Sequence, residues 1–175
     1  MEEIYLINPT EEYIEQIADY RKEFVAANSS MDGCGPLRRI EDPREWLEHV
    51  NLCSKKDTVP EDLVQATQFL CIRKEDNRIV GMIQVRHSFN EYLEKFGGHI
   101  GYSVRPSERR KGYAKKMLKD VLRYCKEINL DKVLITCLDS NVGSRKTILR
   151  NGGVYEKTVL EPSREANLER YWITL

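Results

Sequence analysis

The chain has 175 residues, 41% hydrophobic and 32% charged, a length that suits one domain with its own core. Twenty-eight Lys plus Arg balance 28 Asp plus Glu, so no overall charge draws the chain to nucleic acid or a membrane surface. The acidic start MEEIYLINPTEE, the lack of an apolar run long enough to span a bilayer, and five cysteines with no C-x-x-C pair point to a cytoplasmic protein with free thiols and no metal.

Residues 4–7 predict a short strand. Asn8, Pro9 and Glu11 then fit the cap, first and third positions of a helix whose mostly apolar stripe runs through Tyr13, Ile14, Ile17, Phe24 and Val25. Residues 28–40 are loop by composition. Asp42-Pro43-x-Glu45 repeats the start signal, and Trp46, Leu47, Val50 and Cys53 form one apolar face. Residues 54–66, polar and holding Pro60, predict a surface loop. Residues 68–73 and 79–86 predict an antiparallel hairpin about the turn KEDNR, and residues 90–96 a short helix.

Residues 97–118, GGHIGYSVRPSERRKGYAKKML, join three patterns. A β-branched and aromatic run (99–104) enters a basic turn, and a helix opens at Gly112 with Ala114, Met117, Leu118, Val121, Leu122 and Cys125 on one face. A turn of this kind can hold a phosphate, because the first helical N–H groups have no partner within the helix. Arg105, Arg109, Arg110 and Lys111 add positive charge to it. Residues 132–138 (KVLITCL) predict a strand covered on both faces, parallel to 99–104 through a right-handed crossover. Ser140 or Asn141 can cap a helix that stops at Asn151-Gly152-Gly153, and residues 154–160 and 170–175 predict two closing strands.

The run Val104-x-Pro106-x-x-Arg109-Arg110-Lys111-Gly112-Tyr113-Ala114 resembles the acyl-CoA motif of the GNAT superfamily of N-acetyltransferases, R/Q-x-x-G-x-G/A after a strand ending V-x-P. Asn141, Ser144 and Gly153 match after the next strand, and the order of elements matches over nearly the whole chain. The stretches GGHIGYSVRPSERRKGYA and SRKTILRNGG are similar to a group of bacterial acetyltransferases with no settled substrate.

The resemblance implies an α/β (α+β) fold: one domain over 1–175, with a mixed, mostly antiparallel sheet of about seven strands, flanked by helices and splayed between the fourth and fifth. It implies that the amides of Arg109, Arg110, Lys111, Gly112, Tyr113 and Ala114 wrap the pyrophosphate of acetyl-CoA, a co-substrate. Tyr102, Ser103 and Val104 would pair with the pantetheine arm, with an amide near Val104 polarising the acetyl carbonyl. Asn141 and Ser144 would contact the CoA arm. The implied reaction is direct acetyl transfer to a primary amine, of a small molecule or a protein, through a tetrahedral intermediate.

Two positions depart from the family. Thr136 stands where many members carry a Glu base, and Ile148 where many carry a Tyr acid. His99 and Tyr102 remain as candidate catalytic residues, with His87 and Asp139 behind them, and transfer through water is an alternative. The same departures support a rival reading, a catalytically idle acyl-CoA-binding sensor. Asp32, Glu41, Asp57, Glu61 and Asp62, in the loops expected to wall the acceptor, would suit a cationic amine. The resemblance leaves a homodimer open.

Overall fold

The computed structural model describes residues 2–175. Its order is β1 (Ile4–Ile7), α1 (Ile14–Ala26), α2 (Pro43–Cys53), β2 (Ala66–Arg73), β3 (Arg78–Arg86), β4 (Ile100–Val104), α3 (Tyr113–Glu127), β5 (Lys132–Leu138), α4 (Val142–Arg150), β6 (Val154–Glu161) and β7 (Ala166–Thr174). This is the expected sequence of elements.

Capping decides where two helices begin. Asp42 accepts a hydrogen bond from the Arg44 amide at 2.9 Å, and the Pro43 that follows has no N–H to leave unpaired. The first helix starts later than Asn8 and Pro9 predict. The Asn8 side chain is turned to β2, its Nδ2 donating to the Gln68 carbonyl at 3.0 Å, and the residue before the first turn is Thr10, which makes no side-chain cap. A 3-10 turn at Glu11–Tyr13 leads into α1 instead. The short helix predicted at 90–96 includes a π-helical turn, Leu93–Gly97. The last strand starts four residues before its predicted start at 170, because Ala166 to Glu169 lack a β-branched signal but all pair with β6, and Leu168 and Glu169 with β5 as well.

The strands form two sheets. β1, β2, β3 and β4 are antiparallel in that order, and β7 lies between β5 and β6. One apolar cluster packs α1 and α2 on the first sheet through Ile17, Phe24, Trp46, Leu70 and Met82. The other joins both sheets to α3 through Val80, Ile83, Met117, Val121, Val133 and Ile173.

β4 and β5, predicted as parallel neighbours, share no ladder. Hydrogen bonds join them at one residue pair, His99 and Leu134. The His99 amide donates to the Leu134 carbonyl at 2.8 Å, and the Leu134 amide donates to the His99 Nδ1 at 2.9 Å. A ring nitrogen takes the place of a strand carbonyl there, so pairing stops after one residue and the strands diverge. The splay is a V with His99 at its apex.

Candidate functional site

The V opens into a cleft of about 980 Å³, running from the α3 N-terminus inward past Tyr102, Gly101 and Arg86. Its mouth is built from a single turn. Arg110 and Gly112 both have positive φ, 63° and 86°, which curls the turn so that the chain enters α3 from the left-handed region. Helix α3 has no side-chain cap and no acidic residue in its first turn. In contrast, α2 is capped by Asp42, and the Asn141 Oδ1 accepts from the Ser144 amide at 3.1 Å to cap α4. An uncapped helix start with no acidic residue in its first turn and basic side chains beside it fits an anionic ligand.

The predicted basic residues divide. Arg109 and Arg110 line the cleft, and Arg109 is held by the Val104 carbonyl at 3.1 Å and the Ser29 hydroxyl at 2.7 Å. Arg105 is 1% exposed and pairs with Asp19 at 2.8 Å and Glu23 at 2.9 Å, so its charge fastens the turn to α1 and does not face a ligand. The Lys111 ammonium is 2.7 Å from Glu108 and does not line the cleft. Tyr113 buries its ring, and its hydroxyl accepts from Arg73 and meets Glu2, leaving its backbone for the site. Lys115, Lys146 and Arg150 join Arg109 and Arg110 as lining residues. The sequence reading missed these three. For Lys146 and Arg150 the signal available was the run of bases on the helix after Asn141; for Lys115 it was its place in the first turn of α3.

The two walls differ in what they offer. Along β4, the Arg86 amide donates to the His99 carbonyl and the Arg105 amide to the Val80 carbonyl. The antiparallel alternation therefore turns the backbone of Gly101 and Ser103 toward β3, and that of Tyr102 and Val104 toward the gap. Ser103 is thus less available than expected, since its hydroxyl also bonds Tyr20 at 2.9 Å. The Tyr102 side chain crosses the cleft, its hydroxyl 2.7 Å from the Ser144 hydroxyl in the first turn of α4. Burial raises the Tyr102 phenol well above its usual value, with the Ser144 hydrogen bond partly opposing.

The other acid–base candidates sit elsewhere. His99 is 7% exposed, and burial followed by the Arg86 charge lowers it to about 4. Its Nδ1 already accepts from Leu134, so the neutral ring carries its proton on Nε2. It does not line the cleft, nor do His87 and Asp139. His87 contacts the Thr67 hydroxyl at 2.8 Å. The Thr136 hydroxyl donates to the Phe96 carbonyl at 2.7 Å, and Ile148 is fully buried in the core. Of the loop acids, Asp32 alone lines the cleft, which removes the basis for expecting a cationic acceptor from Glu41, Asp57, Glu61 and Asp62.

A family model described as an acetyltransferase (GNAT) domain matches residues 4–154. The uncharacterized N-acetyltransferase YnaD of Bacillus subtilis is 28% identical over 99 residues. That match takes in 54% of this chain and 56% of that protein's length, so the chain spans little more than half of that curated relative. Among solved structures, the ribosomal-protein-S5-alanine acetyltransferase from Vibrio fischeri superposes with a TM-score of 0.74 at 16% identity, over 99% of this chain and 94% of that one. The microcin C7 self-immunity acetyltransferase MccE, in complex with acetyl-CoA and AMP, gives 0.73 at 17% identity, over 99% and 93%.

Proposed function

Because the chain belongs to the GNAT acetyltransferase family, we propose that it moves an acetyl group from acetyl-CoA to a primary amine by direct transfer. The observation that carries this reading is the uncapped, base-lined start of α3 opening onto unpaired strand backbone. We extend the domain to the whole chain, 1–175, because β7, which lies wholly beyond the matched residues, pairs with β5 from Leu168 to Thr174.

Acetyl-CoA, as co-substrate, supplies the acyl carbon as a thioester. The amides of the 109–115 turn bind its pyrophosphate, and Arg109, Arg110, Lys115, Lys146 and Arg150 offset the phosphate charge. The backbone of Val104 and Tyr102 pairs with the arm. This puts the acyl end beside the Tyr102 amide, two residues deeper than the Val104 position expected from sequence. That amide is free to polarise the carbonyl.

Tyr102 and Ser144 act together as the proton source for the departing sulfur. The phenol keeps its proton until a strong base appears beside it, which suits an acid. Ser144 is one helical turn before Ile148 on the same face of α4, so a side chain from the opposite wall reaches the region where a helix tyrosine would. His99 holds the apex and does no proton transfer. The amine loses its proton to water.

The test is to titrate acetyl-CoA by calorimetry and then follow thiol release with an amine panel. Saturable binding with release on at least one amine is expected. The idle sensor reading draws on the buried Ile148 and the occupied Thr136; binding without release on any amine would favour it.

A further inference from the structure

At the inner end of the cleft one guanidinium has no ion-pair partner among the described residues. The three buried arginines each meet a carboxylate: Arg73 with Glu108 at 2.8 Å, Arg105 with Asp19 at 2.8 Å, and Arg170 with Glu156 at 2.6 Å. Arg86 is partly buried and lines the cleft, yet among the described residues no carboxylate lies within 4 Å of it. Its Nε donates to the Gln84 side chain at 3.1 Å and its Nη1 to the Gly97 carbonyl at 3.2 Å. Its Nη2 makes none of these bonds. A guanidinium clamped on one edge and free on the other is a prepared receptor for an anion.

Its position ties it to the acyl site. A Cβ at Gly101 would come 3.2 Å from the Arg86 Nη2 and 3.1 Å from the Gly33 amide nitrogen, so the guanidinium lies against the strand one residue from Tyr102. Gly33 has φ +71°, and a Cβ there would be 2.3 Å from the Gly101 oxygen. The loop therefore presses onto β4 and carries Asp32 to the same place. Asp32 is exposed, lines the cleft, and acts on Arg86 through its field without forming an ion pair. Among the described residues, one guanidinium and one carboxylate without ion-pair partners thus face the space beside the acyl end.

Resting on the acetyltransferase reading, we propose that the acceptor is a small zwitterion, an amine that also bears a carboxylate, with the carboxylate on Arg86 and the amino group toward Asp32. One free guanidinium edge matches a single negative charge, and Asp32 disfavours a dianion such as a phosphate monoester. A polyamine would place its second cation against Arg86. Asp32 also draws the ammonium to the thioester, where it must shed a proton before attack. Tyr92 and Phe96 bound the space on the far side, which leaves room for a side chain beyond the zwitterion.

The experiment uses the full chain, acetyl-CoA, and four sets of probes: the common L-amino acids, their methyl esters, spermidine, and a lysine-containing peptide. Acetyl-CoA binding is measured first, and its absence would sink the acetyltransferase reading itself. With binding intact, at least one free amino acid should be turned over, and its methyl ester roughly 10- to 100-fold less efficiently in kcat/KM, the scale of one charge-assisted contact. The same amino acid should bind the protein–CoA complex by calorimetry, and Arg86→Gln should weaken that binding by a similar factor. Because Arg86 also braces Gly97, Asp32→Asn on the exposed loop is the second variant, expected to raise KM for the amino acid while leaving CoA binding unchanged. Equal use of acid and ester, preference for spermidine or the peptide, or CoA binding with no turnover of any amino acid would each overturn the proposal.

Discussion

The mouth of the cleft comes from one continuous stretch, residues 109–115, with basic side chains of α4 added. The inner end comes from four separated pieces: the Asp32–Gly33 loop, Arg86 at the end of β3, Gly101–Tyr102 on β4, and Ser144 on α4. The mouth presents mainly backbone amides and long, exposed cations. The inner end presents side chains most of which are partly buried and hydrogen-bonded, such as Arg86, Tyr102 and Ser144. Damage to single side chains should therefore be graded at the mouth and steep at the inner end, and the exception at the mouth should be its backbone.

That exception is the largest effect expected. Gly112→Val forces a β-branched residue to φ 86° and places a side chain where the phosphates approach. Affinity for CoA should fall by at least about 100-fold, roughly 3 kcal/mol or more. Unchanged affinity by calorimetry would remove the turn from the phosphate site.

Next is Tyr102→Phe, which keeps the ring and deletes the proton. A loss on the order of 100-fold in kcat is expected, with little change in KM for acetyl-CoA. Ser144→Ala should cost less, because the phenol remains. If the two variants lose nothing, proton return goes through solvent and the inner end is less specialised than its geometry implies.

His99 tests the apex in a different currency. Its folded value of about 4 lies below the unfolded value of about 6.5, so the native ring stays neutral while the unfolded ring takes a proton. Stability is therefore full above pH 6.5, falls as pH drops below it, and levels off near 4. The loss is about 3 kcal/mol in total for this group. Urea unfolding across that range should show the slope in the wild type and a shallower one in His99→Gln. Parallel slopes would mean that the imidazole is not buried as described.

The smallest effect belongs to Arg150→Ala, an exposed cation at the mouth. KM for acetyl-CoA should rise only a few-fold, and less at high salt, as for a screened surface charge. A change in kcat instead would break the division between the two ends.

The turn at the mouth was legible because what shapes it is local, whereas the α4 bases beside it were not. Glycine, basic residues and the switch from period 2 to period 3.6 all fall within about twenty positions, and the Asp42 cap was legible for the same reason. Arg105 and Lys111 were misjudged because a basic residue in a turn has the same letters whether it faces a phosphate or Asp19 and Glu108. His99 looked like a base because sequence does not show which ring nitrogen is taken. Arg86 and Tyr102 gained meaning from partners distant in the chain, and the Tyr102–Ser144 contact spans 42 positions.

Read without coordinates, the chain yields the order of elements, the helix α3 with its anion-ready start, and the family to which that pattern belongs. These follow from short-range rules: side-chain period, capping and glycine geometry. The tertiary structure alone decided that the sheet splits at His99, that β7 enters between β5 and β6, and that Ser144 meets Tyr102. It also decided that, among the described residues, the Arg86 guanidinium and the Asp32 carboxylate line the cleft without an ion-pair partner. Those outcomes depend on which groups the fold neutralises, and a charge shows itself as available only after every neighbour able to pair with it has been placed.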